Sequence, residues 1–72
     1  MRSFDDDAGG RWQAALMEAS FGTVLLVFSR ISGDGVLLKP LDAANFGEAE
    51  RFLAAADEDR LRGLLVEAKP RH

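Results

Sequence analysis

Seventy-two residues leave room for one small domain, read here as residues 1–72, and chains of that size bury only about 60% of the surface their unfolded form exposes. The absence of cysteine excludes disulfides and thiolate metal sites, so a small core must be reinforced by self-association, a ligand or close packing. A net charge of −3, with basic residues dispersed singly apart from Arg60 and Arg62, excludes the basic stripe that nucleic-acid binding requires, while a hydrophobic fraction of 47% belongs to a folded chain.

The start, MRSFDDD, is acidic and has no apolar stretch of the signal-peptide kind. The longest apolar run, Val24 to Phe28, is far short of the roughly 20 residues that span a bilayer. The expectation is a cytoplasmic protein without a membrane partner.

The segment FDDDAGGRW, Phe4 to Trp12, admits three readings. A calcium loop of the EF-hand kind needs oxygen ligands at positions 1, 3 and 5, glycine at 6 and glutamate at 12. Counted from Asp5, position 5 is Gly9 and position 12 is Leu16, so two ligands are lost, including the bidentate one. A phosphate cradle fails as well, because AGGRW carries neither a G-x-G-x-x-G pattern nor a P-loop ending. A hairpin fits: Asp7, Ala8 and Gly9 form a three-residue loop, a type I turn followed by a left-handed glycine. Asp6 then takes the first turn position. The ladder sets Asp5 against Arg11 on one face and Phe4 against Trp12 on the other, pairs worth roughly 0.2–1 kcal/mol each.

Next, RWQAALMEAS has the composition of a helix. Its charges oppose that reading, since Arg11 would stand at the positive end of the dipole and Glu18 at the negative end. No capping side chain directly precedes it. The segment from Trp12 to Ala19 is therefore read as a strand, with an α-β-β-α-α arrangement as the alternative. Thr23 to Ser29, then SGDG, then Val36 to Leu41 read as a second hairpin. Its turn centres on Gly33–Asp34 or on Asp34–Gly35, and Pro40, lacking a ladder donor, marks an edge or an end.

Two helices close the chain. Asn45 followed by Glu48 is a variant capping box, and Phe46, Ala49, Phe52, Leu53 and Ala56 share one face. Asp57 caps the second helix, whose Leu61, Leu64, Leu65 and Ala68 lie at i, i+3, i+4 and i+7. Glu58 and Arg62 are spaced to pair across one turn. Gly63 marks either a close backbone approach or an exposed position. The predicted fold is α+β: a small antiparallel meander of three to four strands with two short C-terminal helices on one face.

The catalytic inventory is thin. His72 is the only histidine and ends the chain, and tyrosine is absent as well as cysteine, so no Ser–His or Cys–His pair is at hand. The carboxylates fall at caps, turns and helix exteriors. A non-catalytic protein with no cofactor and no metal site is expected. The apolar surplus says more: Val24, Leu26 and Phe28 point to one side of their strand, Leu25 and Val27 to the other. Two short helices cover one face of a small sheet, and an uncovered apolar face marks an interaction site, unless helices flank both faces or the N-terminal segment folds over the second.

The pattern Phe4-x-Asp6, Gly10-Arg11-Trp12, Ser20-Phe21-Gly22-Thr23 and Leu61-Arg62-x-Leu64-Leu65 resembles a class of short, uncharacterised bacterial proteins built as strands followed by a helix ending in Leu-Arg-x-Leu-Leu. That resemblance implies a fold and no activity. The opening FDDDAGGRW is also similar to the start of MbtH-like proteins, small partners of peptide-synthetase adenylation domains. The similarity covers about a dozen residues, and the family's Ser-x-Trp-Pro and later tryptophans have no counterpart here, so that function is not adopted. The expected function is an interaction or regulatory module that binds a protein partner or itself through the sheet. Phe4, Trp12, Phe21 and Phe28 are its candidate aromatic contacts and Arg11 and Arg30 its rim charges; all six fit core or turn roles equally well. The alternative is a small-ligand or weak divalent-metal binder.

Overall fold

A computed structural model describes residues 1–19 and 22–70. The charge argument against a second-segment helix holds: Arg11–Glu18 is a strand. It belongs to one antiparallel sheet whose strands follow chain order, β1 (Arg2–Asp5), β2 (Arg11–Glu18), β3 (Val24–Arg30), β4 (Val36–Leu41) and β5 (Lys69–Pro70). Between β4 and β5 come α1 (Phe46–Ala55) and α2 (Glu58–Glu67). The meander and the two helices match expectation. The fifth strand does not: two residues after α2 return to pair Leu37 with Pro70 and Leu38 with Lys69. No helix is long and apolar enough to cross a membrane among the described residues.

The first hairpin has the expected register, Phe4 opposite Trp12 and Asp5 opposite Arg11. Its loop closes through Asp6 N–H to the Gly10 carbonyl (2.8 Å) and Gly9 N–H to the Asp6 carbonyl (3.2 Å). Gly9 has φ +86°, a conformation that side chains with a Cβ avoid. Gly10 serves a different need, because a Cβ there would sit 2.8 Å from an Asp6 carboxylate oxygen.

The second hairpin departs from both predicted turns. Arg30 N–H donates to the Gly35 carbonyl at 2.9 Å, so the loop is Ile31–Asp34 and its centre falls at Ser32–Gly33. The core explains the choice. This register puts Leu37 opposite Phe28 and Leu41 opposite Val24, whereas a centre at Gly33–Asp34 would put Lys39 opposite Phe28. Moving a turn centre by one residue slides the pairing by two, so Leu37, Lys39 and Leu41 keep their face in every case.

Both helices pack on the side of the sheet that carries Phe4, Trp12, Ala14, Leu26 and Phe28, contributing Leu53, Ala56 and Leu61 to one core. Phe4 meets Phe28 edge-on at 5.8 Å, with the fully buried Ala14 beside Phe28 in the ladder. A small residue on β2 lets aromatic rings from β1 and β3 meet across it. The caps are those expected: Asn45 accepts from the Glu48 amide and Asp57 from the Arg60 amide, both at 2.8 Å. The Glu48 carboxylate reaches back to the Ala44 amide at 3.4 Å, one residue beyond the usual capping-box donor.

Gly63 has no atom within 4 Å of where a Cβ would stand, which settles it as an exposed position rather than a close approach. Gly63→Ala is therefore expected to raise unfolding stability by about 0.5–1 kcal/mol. Urea denaturation followed by circular dichroism checks this; a loss of stability would show that the position is not open.

Candidate functional site

Alternation along each strand sorts the sheet into two faces. Opposite the helices lie Ala15 and Met17 of β2, Leu25 and Val27 of β3, and Val36, Leu38 and Pro40 of β4. The ladder sets Ala15, Val27 and Leu38 side by side, and likewise Met17, Leu25 and Pro40. Among the described residues, none of these seven belongs to the core cluster or packs against it. Met17 is 44% exposed, and Ala15, Leu25, Val27, Val36 and Leu38 are half-buried. The row Gln13–Ser29–Val36 opens a polar margin, and the Asp5–Arg11 pair (3.7 Å) and Lys69 lie further out. An apolar centre with a polar rim is the anatomy of a docking surface.

The edges of the sheet are less available than its face. On β1, the carbonyl of Asp5 already accepts from Arg62 Nη1 of α2 at 3.0 Å. On the other side β5 covers Leu37 and Leu38, and Pro40 beyond it has no N–H to offer. Blocked, short and proline-bearing edges discourage strand addition.

The predicted contact residues fall differently. Phe4, Trp12 and Phe28 are 2%, 7% and 0% exposed, part of the helix-covered core. Alternation put them on one side, and their bulk drew the helices to that side. Phe21 and His72 lie outside the described residues. Arg11 stands at the rim of the open face. Arg30 is exposed on the other side, its guanidinium 5.5 Å from the Trp12 ring centroid. Leu25 and Val27 are the second apolar face expected from alternation along β3, while Ala15, Met17, Val36, Leu38 and Pro40 join them only through the ladder; the signal for that side is that its column holds Ser3, Gln13 and Ser29 while the opposite column holds the large aromatics.

The three aspartates do not converge. Asp5 faces Arg11, and Asp7 lies 3.8 Å from Arg62 Nε. Asp6 turns inward, its Oδ1 accepting from the amides of Ala8 (2.9 Å) and Gly10 (2.6 Å) and its Oδ2 from the Trp12 indole N–H (2.8 Å). The Trp12 bond, then the Gly10 amide, hold the Asp6 carboxyl below its ordinary value; the Ala8 amide and the Arg30 charge act the same way against partial desolvation. Among the described residues no three carboxylates or histidines are placed to hold a metal ion.

A depressed folded-state pKa means that this carboxylate stabilises the fold above its unfolded value of about 3.8. That contribution is lost as pH falls through the still lower folded value. Asp6→Asn is expected to lower stability at neutral pH and to flatten the acid limb below about pH 4. Emission from the single tryptophan, bonded to this carboxylate, provides the measurement; equal acid slopes in wild type and Asp6→Asn would refute the assignment.

A cleft of about 350 Å³ lies between β4 and the two helices, with Leu41, Phe52 and Leu64 among its apolar walls. Its charges are largely engaged internally: Lys39 pairs with Glu67 at 3.2 Å, and the Arg60 guanidinium stacks 5.7 Å from the Phe52 ring centroid.

No family model matches this chain, and no curated protein or solved structure matches it either.

Proposed function

We propose that this chain is a non-catalytic interaction module whose docking surface is the open face of the sheet. The observation that carries the reading is the uncovered apolar patch centred on Val27, flanked by Ala15 and Leu38 in the ladder. Contiguous apolar surface of this kind costs solvation free energy in an isolated chain, roughly 25 cal/mol for each Å² left in water, and soluble proteins keep such patches mainly where something docks. The guarded edges direct a partner to the face. The acidic loop lends little to the rival reading as a metal binder, since its carboxylates are turned to separate partners within the chain.

A photo-crosslinking residue at position 27, introduced in cells that make the protein, tests this. The expected result is one discrete adduct, absent when the same group is placed at exposed Glu50 on α1. No adduct above that control would overturn the reading.

A further inference from the structure

We infer that the occupant of the open face is a second copy of this chain, in a symmetric face-to-face pair; this rests on the face being the docking surface. Three observations support it. First, Val24–Phe28 is apolar at every position, the pattern of a strand buried on both sides. The helices bury only Val24, Leu26 and Phe28, so the sequence of β3 is written for a second cover.

Second, the size fits. The molecule is a plate of 34 × 28 × 18 Å, its thin axis being the depth of one sheet and one helix layer. The broad side measures 34 × 28 Å at its widest, on the scale of a face that contributes the ~800 Å² per partner of a stable interface. Larger assemblies are not needed to cover it.

Third, the face is complementary to itself. A two-fold axis running along β3, midway between two copies, keeps positions along the strands and exchanges β2 with β4. Val27 then meets Val27 and Leu25 meets Leu25. Ala15 lies across from Leu38 of the other copy and Met17 across from Pro40, because the ladder holds each of these rows level. Ala15, the smallest of the set, leaves room for Leu38, and Val27 and Leu25 meet their own copies on the axis, in a sandwich about 10 Å thick. Asp5, Arg11 and Lys69 stay at the periphery, so no charge is buried.

Sedimentation equilibrium on the purified chain, from low micromolar to millimolar concentration, tests the pairing. The expected weight-average mass rises from 7.8 kDa towards twice that value. Val27→Lys is expected to weaken the dimer roughly tenfold or more, by placing a charge at the centre of the interface. Met17→Lys acts in the same direction at a position already 44% exposed, so it keeps the test valid if Val27→Lys fails to fold; Glu50→Lys leaves association unchanged. A chain monomeric at every concentration, with a crosslink from position 27 to another protein, overturns the second copy and preserves the docking face. Monomer with no crosslink overturns both, and a dimer indifferent to both lysines overturns the placement of the interface.

Discussion

Phe28→Ala is expected to leave the chain largely unfolded at 25 °C, whereas Val27→Ala, one residue away, is expected to cost about 1 kcal/mol or less. The two side chains leave the same strand on opposite sides. Phe28 is fully buried and packs edge-on against Phe4. Removing a buried phenylalanine costs about 3–5 kcal/mol, the transfer term plus the cavity left behind. That is comparable to everything a single core supplies to a domain this small. No disulfide adds to it, since the chain has no cysteine. Val27 leaves no such cavity because its side chain already faces outwards. Urea denaturation at low concentration, where a dimer would dissociate, separates the two; a Phe28→Ala chain as stable as Val27→Ala would show that the core is not where the packing places it.

The legible parts of the sequence were those governed by short-range chemistry. The register of Phe4–Trp12 followed from a three-residue loop with one left-handed glycine, and the caps Asn45 and Asp57 followed from their spacing to the next apolar run. The strand at Arg11–Glu18 was readable because its charges oppose a helix dipole although its composition favours one. The turn at Ile31–Asp34 was misplaced because SGDG contains several acceptable turns, and only the partners available to Phe28 decide among them. The two-residue β5 has no periodicity to detect, and it ends in proline. Alternation predicted that one face of β3 would be uncovered. The aromatics Phe4, Trp12 and Phe28 are core residues and not contacts because the bulk that suits an interface suits a core better.

This difference sharpens what the exposed surface offers. The large aromatics Phe4, Trp12 and Phe28 are spent on the core, and the open face is built instead from aliphatic side chains with a methionine and a proline. Such a surface lacks the aromatic and arginine anchors that dominate tight interfaces. Association through it therefore depends on area and shape, and it is expected to be reversible over the accessible concentration range.

Arg2→Met is expected to destabilise the fold by about 2 kcal/mol, with Arg2→Lys restoring part of the loss. The cause lies at the C-terminus of α1, where the last carbonyls of any helix lack intrahelical donors. Many helices solve this with a left-handed glycine. Here Ala56 is extended instead, with φ −70° and ψ 134°, and its N–H returns only to the Phe52 carbonyl. α1 has no basic residue in its last turn. The missing donor comes from β1: Arg2 Nη1 lies 2.8 Å from the carbonyls of Leu53 and Ala56 and 3.3 Å from that of Ala54. One guanidinium thus caps the helix, meets the negative end of its dipole, and fixes the bend into α2 against the edge of the sheet. Methionine keeps the aliphatic stem and loses every donor, so the comparison isolates the hydrogen bonds; lysine keeps the charge without the planar fork. Urea denaturation gives the magnitude, and amide hydrogen exchange gives the place, with the last turn of α1 losing protection before the core of β3. A loss below about 0.5 kcal/mol, the range of ordinary surface substitutions, would mean that water caps this helix equally well.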